Sequence, residues 1–258
     1  MNATQRRMEL YQILQTQGSA EVSDMADHFQ VSTMTIRRDF AKFERQGLVT
    51  TNYGGAHLNK GSGIEPSFSL KQGQMADAKQ HIAKAAAELI NDGDSIILDC
   101  GTTTLEILKY LYKKRLTIIT NSWPAVGYLH GNSRVKLILA PGEYDELSAG
   151  VVSSMTAEFY QKFHADIVFV STQGFSPEHG ATVPDTTDAS VKQSLLQSGD
   201  KKVLLADSSK IGKKYLARHA SANQFDVIIT DNAVTEENLN LLQKHCKQVI
   251  TVEFDANK

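Results

Sequence analysis

STMTIRRDF, Ser32 to Phe40, is the stretch whose reading decides how the first part of the chain folds. Ser32 is a residue type that caps helix N-termini, because its hydroxyl accepts from the first free backbone N–H groups. Behind it Ile36, Phe40 and Phe43 recur at i, i+4 and i+7, the stripe of a helix lying on a small core. At 100° per residue that stripe turns Met34, Arg38 and Arg45 to the opposite face, with Thr35 and Lys42 on one flank and Arg37 on the other. Arg38 and Lys42 are like charges four residues apart, which costs an isolated helix roughly 0.2–0.5 kcal/mol. A merely solvated helix would pair opposite signs there. The plain alternative is an ordinary solvated face, since paired arginines are common on surfaces.

Working outward, a helix is expected from Thr4 to about Gln17, with Leu10, Ile13 and Leu14 on one face and Gly18 just past its end. A second short helix carries Val22, Met25, Ala26 and Phe29, and a turn through Gln30 and Val31 leads to Ser32. Beyond Gly47, LVTTNYGGAHL has the form of a hairpin turning at Gly54-Gly55. Three helices and a hairpin make a winged helix-turn-helix over residues 1–58, a module whose third helix enters the major groove of double-stranded DNA. Ser32, Thr33, Met34, Thr35, Arg37 and Arg38 are then the residues placed to read bases. Lys42, Arg45 and the wing residues Asn52 and Tyr53 are placed to meet phosphates. Asp39 would repel phosphates, so it is expected to turn inward and pair with a cation such as Arg6.

The totals do not supply this reading. The 258-residue chain has a net charge of -2, and through residue 60 seven basic residues face six acidic ones, so a nucleic-acid role rests on local placement. Hydrophobic residues at 41% and charged residues at 22% are those of a globular protein and exclude long disorder. The two cysteines, Cys100 and Cys246, have no metal-ligand spacing, and neither a metal nor a cofactor is expected. No apolar stretch is long enough to cross a bilayer, and MNATQRRMEL is no signal peptide, so the expected location is cytoplasmic, with no membrane partner.

Glycine, serine and proline replace periodic pattern in HLNKGSGIEPSF, which marks residues 59–74 as a linker. After it, the runs SIILD, LTIIT, VKLILA, DIVFVS, KVLLA, DVIIT and QVITV alternate with helix-like segments. Continuous apolar strands separated by amphipathic helices predict an α/β domain over 75–258, with a Rossmann-like, mostly parallel sheet covered on both faces. Within it SIILDCGTTTLEIL reads as a buried strand ending at Asp99, a turn at Gly101, and a helix opening through Thr102, Thr103 and Thr104. Free N–H groups, hydroxyls and a glycine form an anion site suited to phosphate. The competing account is a capping box between Thr103 and Glu106 that closes the helix end without a ligand. Neither a Walker loop nor GxGxxG is present, which disfavours nucleoside triphosphates and dinucleotides. Other strand ends add Asn121 and Ser122, the segment from Ser171 to Gly174, and Asp207 to Lys210, where Lys210 offers a compact cation.

These residues carry a resemblance. Arg6, Leu10, Leu14, Ser32, Thr35 and Ile36 to Phe40, with Gly54 to Ala56, follow the spacing of the DeoR family of bacterial sugar-operon regulators. The later part resembles that family's sensor domain, which is similar to ribose-5-phosphate isomerase. The resemblance implies a phosphate loop at Asp99, Gly101, Thr102 and Thr103, an Asp-Ser-Ser-Lys motif at Asp207 to Lys210, and a pocket-closing segment from His179 to Lys192 with Lys192 as its basic residue. Three departures stand out. Thr51, Asn52 and Tyr53 replace the usual arginine and histidine before the wing's Gly-Gly. Pro141-Gly142 replaces a Gly-Gly after the third strand, and Asp188 replaces a glutamate.

The expected function is a DNA-binding regulator, a repressor of a carbohydrate operon controlled by a phosphorylated sugar effector, acting as a homodimer or homotetramer because one weakly basic head binds DNA poorly. The rival reading is a sugar-phosphate isomerase with a DNA-binding appendage, using Asp188 or Asp185 as the base. A third is an adaptor that grips protein through the same helix.

Overall fold

The computed structural model describes residues 1–254 and divides the chain into two compact units, the first Met1–Gln74 and the second starting at Met75. In the first, α1 (Ala3–Gln17) opens on a capping box between Asn2 and Gln5 and stops where Gly18 turns left-handed at φ 79°. There follow β1 (Ser19–Glu21), α2 (Val22–Phe29), α3 (Thr33–Arg45), β2 (Val49–Thr51) and β3 (Gly55–Leu58). The expected helices and hairpin are all present. Leu10, Leu14, Ile36, Phe40, Phe43 and Leu48 are the heart of the core, each at most 2% exposed. Burial of each contributes about 1.5–3 kcal/mol.

β1 was not expected. It pairs antiparallel with β3 and makes the wing a three-stranded sheet in the order β1-β3-β2. Three residues are too few to show alternation, and this pairing is set by tertiary contact. At Gly55 any Cβ would overlap the Ala20 carbonyl, so glycine allows the strands to approach.

Residues 59–74, expected as a linker, belong to the first unit instead. They contain α4 (Phe68–Gly73), which packs on α1; Leu70 joins the core and Ile64 lies against it. Lys71 Nζ donates 2.6 Å to Glu65, and Gln74 Nε2 donates 2.7 Å to Gln15 Oε1. The Gly61-Ser62-Gly63 run masked these apolar residues, which are spaced too irregularly to signal a helix.

The second unit contains α5 (Ala76–Glu88), β4 (Ser95–Leu98), α6 (Thr102–Ile107), β5 (Leu116–Thr120), α7 (Trp123–Leu129), β6 (Val135–Leu139), β7 (Tyr144–Asp145), β8 (Gly150–Val151) and α8 (Ser154–Tyr160). It continues with β9 (Ala165–Ser171), β10 (Gly174–Ser176), β11 (Gly180–Val183), α9 (Thr186–Gln197), β12 (Gly199–Leu205), β13 (Ala217–Ala220), β14 (Val227–Asp231), α10 (Glu236–His245) and β15 (Val249–Val252). All seven apolar runs are strands of one parallel sheet, ordered β15-β14-β12-β9-β4-β5-β6. From β4 the chain builds outward through β5 and β6, then returns to the other side of β4 at β9. The reversal opens a crevice at the carboxyl ends of β4 and β9, where ligands of open α/β sheets bind. Two small antiparallel sheets, β10-β11-β13 and β7-β8, were not legible, because their strands are short and rich in glycine and polar residues.

A reading helix and a strand-end crevice

The α2–α3 turn passes through Gln30, held left-handed at φ 53°. Ser32 then caps α3, accepting from the Thr35 N–H at 3.2 Å. With Ile36, Phe40 and Phe43 buried, the helix leaves Ser32, Thr33, Met34, Arg37, Arg38 and Arg45 exposed, and Thr35 and Lys42 half-buried. Met34 is 57% exposed. Asp39 turns inward, as expected: Arg6 Nε donates 2.7 Å to its Oδ2, and Arg7 stands 4.0 Å away. The acid next to Arg38 is thereby turned away from the exposed face of the helix.

The wing is tied to this helix. Glu44 Oε1 accepts from the Thr51 N–H at 3.0 Å and from Thr51 Oγ1 at 2.6 Å, and these bonds hold its carboxyl below the ordinary glutamate value. Asn52 Oδ1 accepts from the N–H groups of Gly54 and Gly55, folding the tip. Tyr53, 92% exposed, lies under the Arg37 guanidinium, 5.6 Å from its ring centroid. Sequence reasoning placed Asn52 and Tyr53 to meet phosphates and had Thr51 to Tyr53 as a departure from the family wing; the structure also gives all three a part in holding the wing together.

In the second unit, the residues singled out in sequence follow four adjacent strands, β12, β9, β4 and β5, apart from Lys192, which α9 supplies. Asp99, 1% exposed, is their hub. Its Oδ1 accepts from the Gly101 N–H at 2.9 Å and Thr104 Oγ1 at 2.5 Å. Its Oδ2 accepts from the Ser171 N–H at 2.8 Å and from Lys192 Nζ, on α9, at 2.5 Å. Burial opposes the charge on Asp99, yet Lys192, Thr104 and the Ser171 N–H outweigh it and hold the carboxyl below its ordinary value. Burial likewise opposes the Lys192 charge, and Asp188, 3.9 Å away, with Asp99 more than compensates, raising the ammonium above its ordinary value. The pair is a fixed ion pair.

Around this hub the helix α6 begins at Gly101 without any side-chain cap. The capping box proposed for Thr103 and Glu106 does not form; Glu106 pairs with Lys109 at 2.5 Å instead, because one turn on, the cation is nearer than the helix start. Thr102 and Thr103 are buried at the opening of the helix, and Thr104 is turned down to Asp99. Gly101 is required by crowding, since a Cβ there would overlap Ser171 Oγ and lie 2.8 Å from Ser171 Cβ. Gly101→Ala is expected to push Ser171 off Asp99 and destabilise the unit by about 1–3 kcal/mol, read by denaturant unfolding. An unchanged midpoint would mean that this loop is slack.

The remaining residues divide by what they touch. Asn121 is committed to the fold, its Nδ2 donating 3.0 Å to the Val151 carbonyl and its Oδ1 accepting from Tyr160 at 3.2 Å. Next to it Ser122 Oγ is buried with no partner among the described residues. Gly174 meets its own protein, since a Cβ would lie 2.6 Å from the Lys213 carbonyl. Lys210 Nζ reaches Gln173 Oε1 at 3.4 Å, joining the β12 and β9 strand ends. Tyr160 and His219 were missed as site residues, and Ser171 was read only as part of the polar segment running to Gly174. Ser171 was visible as a polar strand end; nothing in sequence marks His219, which arrives on β13.

His219 is 2% exposed, with Nε2 3.2 Å from Thr172 Oγ1. Burial and the Lys192 charge push its pKa down to about 3. An imidazole neutral in the folded state but protonated when unfolded makes stability fall as pH drops from about 6.5, by up to about 1.4 kcal/mol per pH unit until the folded value is reached. Thermal melts from pH 7 to 4.5 should show that slope, and His219→Gln should flatten it. An equal slope in the variant would assign it to other groups.

Among the described residues no group of three or more His, Cys, Asp or Glu is placed to hold a metal, and no helix is long and apolar enough to cross a membrane. The family description of the DeoR-like helix-turn-helix domain matches residues 6–62, and that of the DeoR C-terminal sensor domain matches residues 74–232. The transcriptional repressor GlcR of Bacillus subtilis is 29% identical over 100% of both chains. The lactose phosphotransferase system repressor of Staphylococcus epidermidis is 32% identical over 90% of this chain and 93% of its own. Ribose 5-phosphate isomerase A of Methanocaldococcus jannaschii aligns with 54% of this chain and 55% of its own, at 17% identity and a TM-score of 0.40. With both of its domains present in order, the chain belongs to the DeoR family of transcriptional regulators and is a DNA-binding regulator, not an enzyme.

Proposed function

We propose that this regulator represses a carbohydrate uptake or catabolism operon and is controlled by a phosphorylated sugar bound at the carboxyl ends of β12, β9, β4 and β5. The observation that carries the effector reading is the start of α6, a helix N-terminus with no side-chain cap at the reversal point of the sheet, together with the buried unpartnered hydroxyl of Ser122 at the end of the neighbouring strand β5. Free N–H groups and an unsatisfied hydroxyl suit phosphate oxygens. In this reading Thr102, Thr103 and Ser122 touch the phosphate, and Lys210 supplies a cation. Asp99 and Lys192 face the sugar from the crevice floor while keeping each other charged. Asn121, Thr104 and Gly174 shape the walls.

The head reads the operator through α3 and steadies it with the wing, and paired heads in a dimer or tetramer make up for the low charge of each. The effector acts by binding one conformation of the regulator better than another, which is all that a ligand needs to shift DNA affinity. The family repressors named for sugar systems support the carbohydrate assignment. The test is a fluorescence-anisotropy titration on DNA upstream of neighbouring genes, repeated with a panel of pentose and hexose phosphates and the matching free sugars. One phosphate should shift the operator Kd at least fivefold, with its free sugar inert. If no member of the panel shifts either the operator Kd or the melting temperature, the effector reading fails.

A further inference from the structure

β6 is an edge strand of the main sheet, and among the described residues no strand covers its outer side. Its sequence VKLIL is apolar apart from Lys136, and Val135, Leu137, Ile138 and Leu139 are only half-buried. Such an edge is a template for another strand, and natural proteins blunt it with charge, proline or a cover. Large side chains stand exposed near it. Trp123 is 56% exposed and Tyr144 55%, their rings in edge contact at 6.3 Å. Met155, 58% exposed, sits on α8, which is tied to the carboxyl end of β6 by Thr156 Oγ1 donating 2.9 Å to the Pro141 carbonyl. Exposed tryptophan, tyrosine and methionine in one neighbourhood are the composition of an interface core.

Charge divides along the same strand. At its amino end an open depression of about 500 Å³ is lined by Arg115, Arg134 and Lys136. At its carboxyl end come Glu143 and Glu146, both exposed. Asp145, between them, is used internally, accepting from the Ser148 N–H at 2.8 Å. A strand basic at one end and acidic at the other is complementary to itself reversed.

We propose that a second copy of this chain docks here, β6 against β6, antiparallel about a twofold axis at Leu137. Each copy's Glu143 and Glu146 then reach the other copy's basic depression, while the exposed aromatics close over the joint. The contact is isologous, closes on itself, and joins the two main sheets into one continuous sheet. It holds whether or not the effector reading above is right.

The test uses the full chain in sedimentation velocity. Arg134→Glu and Glu143→Arg, both at exposed positions, should each raise the dimer Kd at least tenfold. Together they should restore it to within a few-fold of the parent. Leu137→Cys should form an intermolecular disulfide on mild oxidation, since facing residues of an antiparallel pair have Cα atoms about 4.5–5.5 Å apart. Cys100 and Cys246 are buried and give little background. Circular dichroism checks that each variant is folded; should Leu137→Cys not fold, the charge pair decides alone. A chain that is monomeric at high micromolar concentration overturns the proposal. So does a dimer insensitive to the charge reversals; that result places the contact on another face and leaves the regulator reading intact.

Discussion

Lys192→Met is expected to destabilise the sensor unit by about 3–5 kcal/mol, the cost of removing one partner from a buried ion pair and stranding the other. The pair is 2.5 Å apart, with side chains 5% and 1% exposed, so water does little to screen what is lost. The pH dependence should change as well. In the parent protein the Asp99 carboxyl is held below its ordinary value of 3.8, so its contribution is present above about pH 4 and lost as pH falls through the folded value. Lys192 is raised above 10.5, so its contribution is present below that value and lost only as pH rises beyond it. Without Lys192, burial is the largest influence remaining on Asp99 and raises its pKa, so the deficit of the variant relative to the parent is expected to narrow as pH drops from 8 to 5, over and above the His219 slope that both carry. Urea melts at both pH values read this directly. Adding Asp99→Asn to Lys192→Met should recover part of the loss, because the amide carries no charge and its oxygen still accepts from Thr104 and the Gly101 N–H, while its NH2 can donate to Ser171 Oγ but no longer accepts from the Ser171 N–H. A single variant as stable as the parent, or a double variant less stable than both singles, would show that the pair does not organise this crevice.

What could be read in sequence followed from how local its cause was. Seven apolar runs became seven parallel strands because a strand buried on both faces must be apolar along its length, whatever its neighbours. Ser32 as a cap, the stripe of α3 and the inward turn of Asp39 to Arg6 were legible because helical periodicity fixes which side chains share a face. The missed features all depend on partners distant in sequence. β1 exists because β3 lies beside it, and α4 because α1 offers a face to Leu70. At the crevice, sequence placed Asp99, Lys192 and Asn121 together as effector contacts. The structure shows what their spacing could not: the first two satisfy each other across 93 positions, and Asn121 spends both polar atoms on Val151 and Tyr160. His219 reaches the same neighbourhood from β13, 47 positions beyond its partner Thr172, with no local pattern to announce it.

Arg38→Ala is expected to weaken operator binding about 5- to 150-fold, the worth of one good contact to a base edge, roughly 1–3 kcal/mol. The side chain is exposed, faces away from the core stripe, and has no carboxylate to neutralise it, because Asp39 is held by Arg6. Its removal should leave the fold intact, since the side chain is exposed. The comparison that assigns its role is with Lys42→Ala. A cation that meets only phosphate contributes equally on any duplex, so Lys42→Ala should lower affinity for operator and scrambled DNA alike and reduce the salt slope by about 1. Arg38→Ala should instead narrow the gap between operator and scrambled DNA, because what it removes is sequence-dependent. Tyr53→Ala separates the wing's share: without the ring beneath it, Arg37 loses its support 5.6 Å away, and the loss should grow with temperature as the guanidinium becomes free to rotate. Anisotropy titrations of the variants on both duplexes, at several salt concentrations, measure all of these together. If Arg38→Ala reduced affinity for both duplexes by the same factor, Arg38 would be a phosphate contact and base reading would pass to Ser32, Thr33, Met34 and Thr35 at the start of α3.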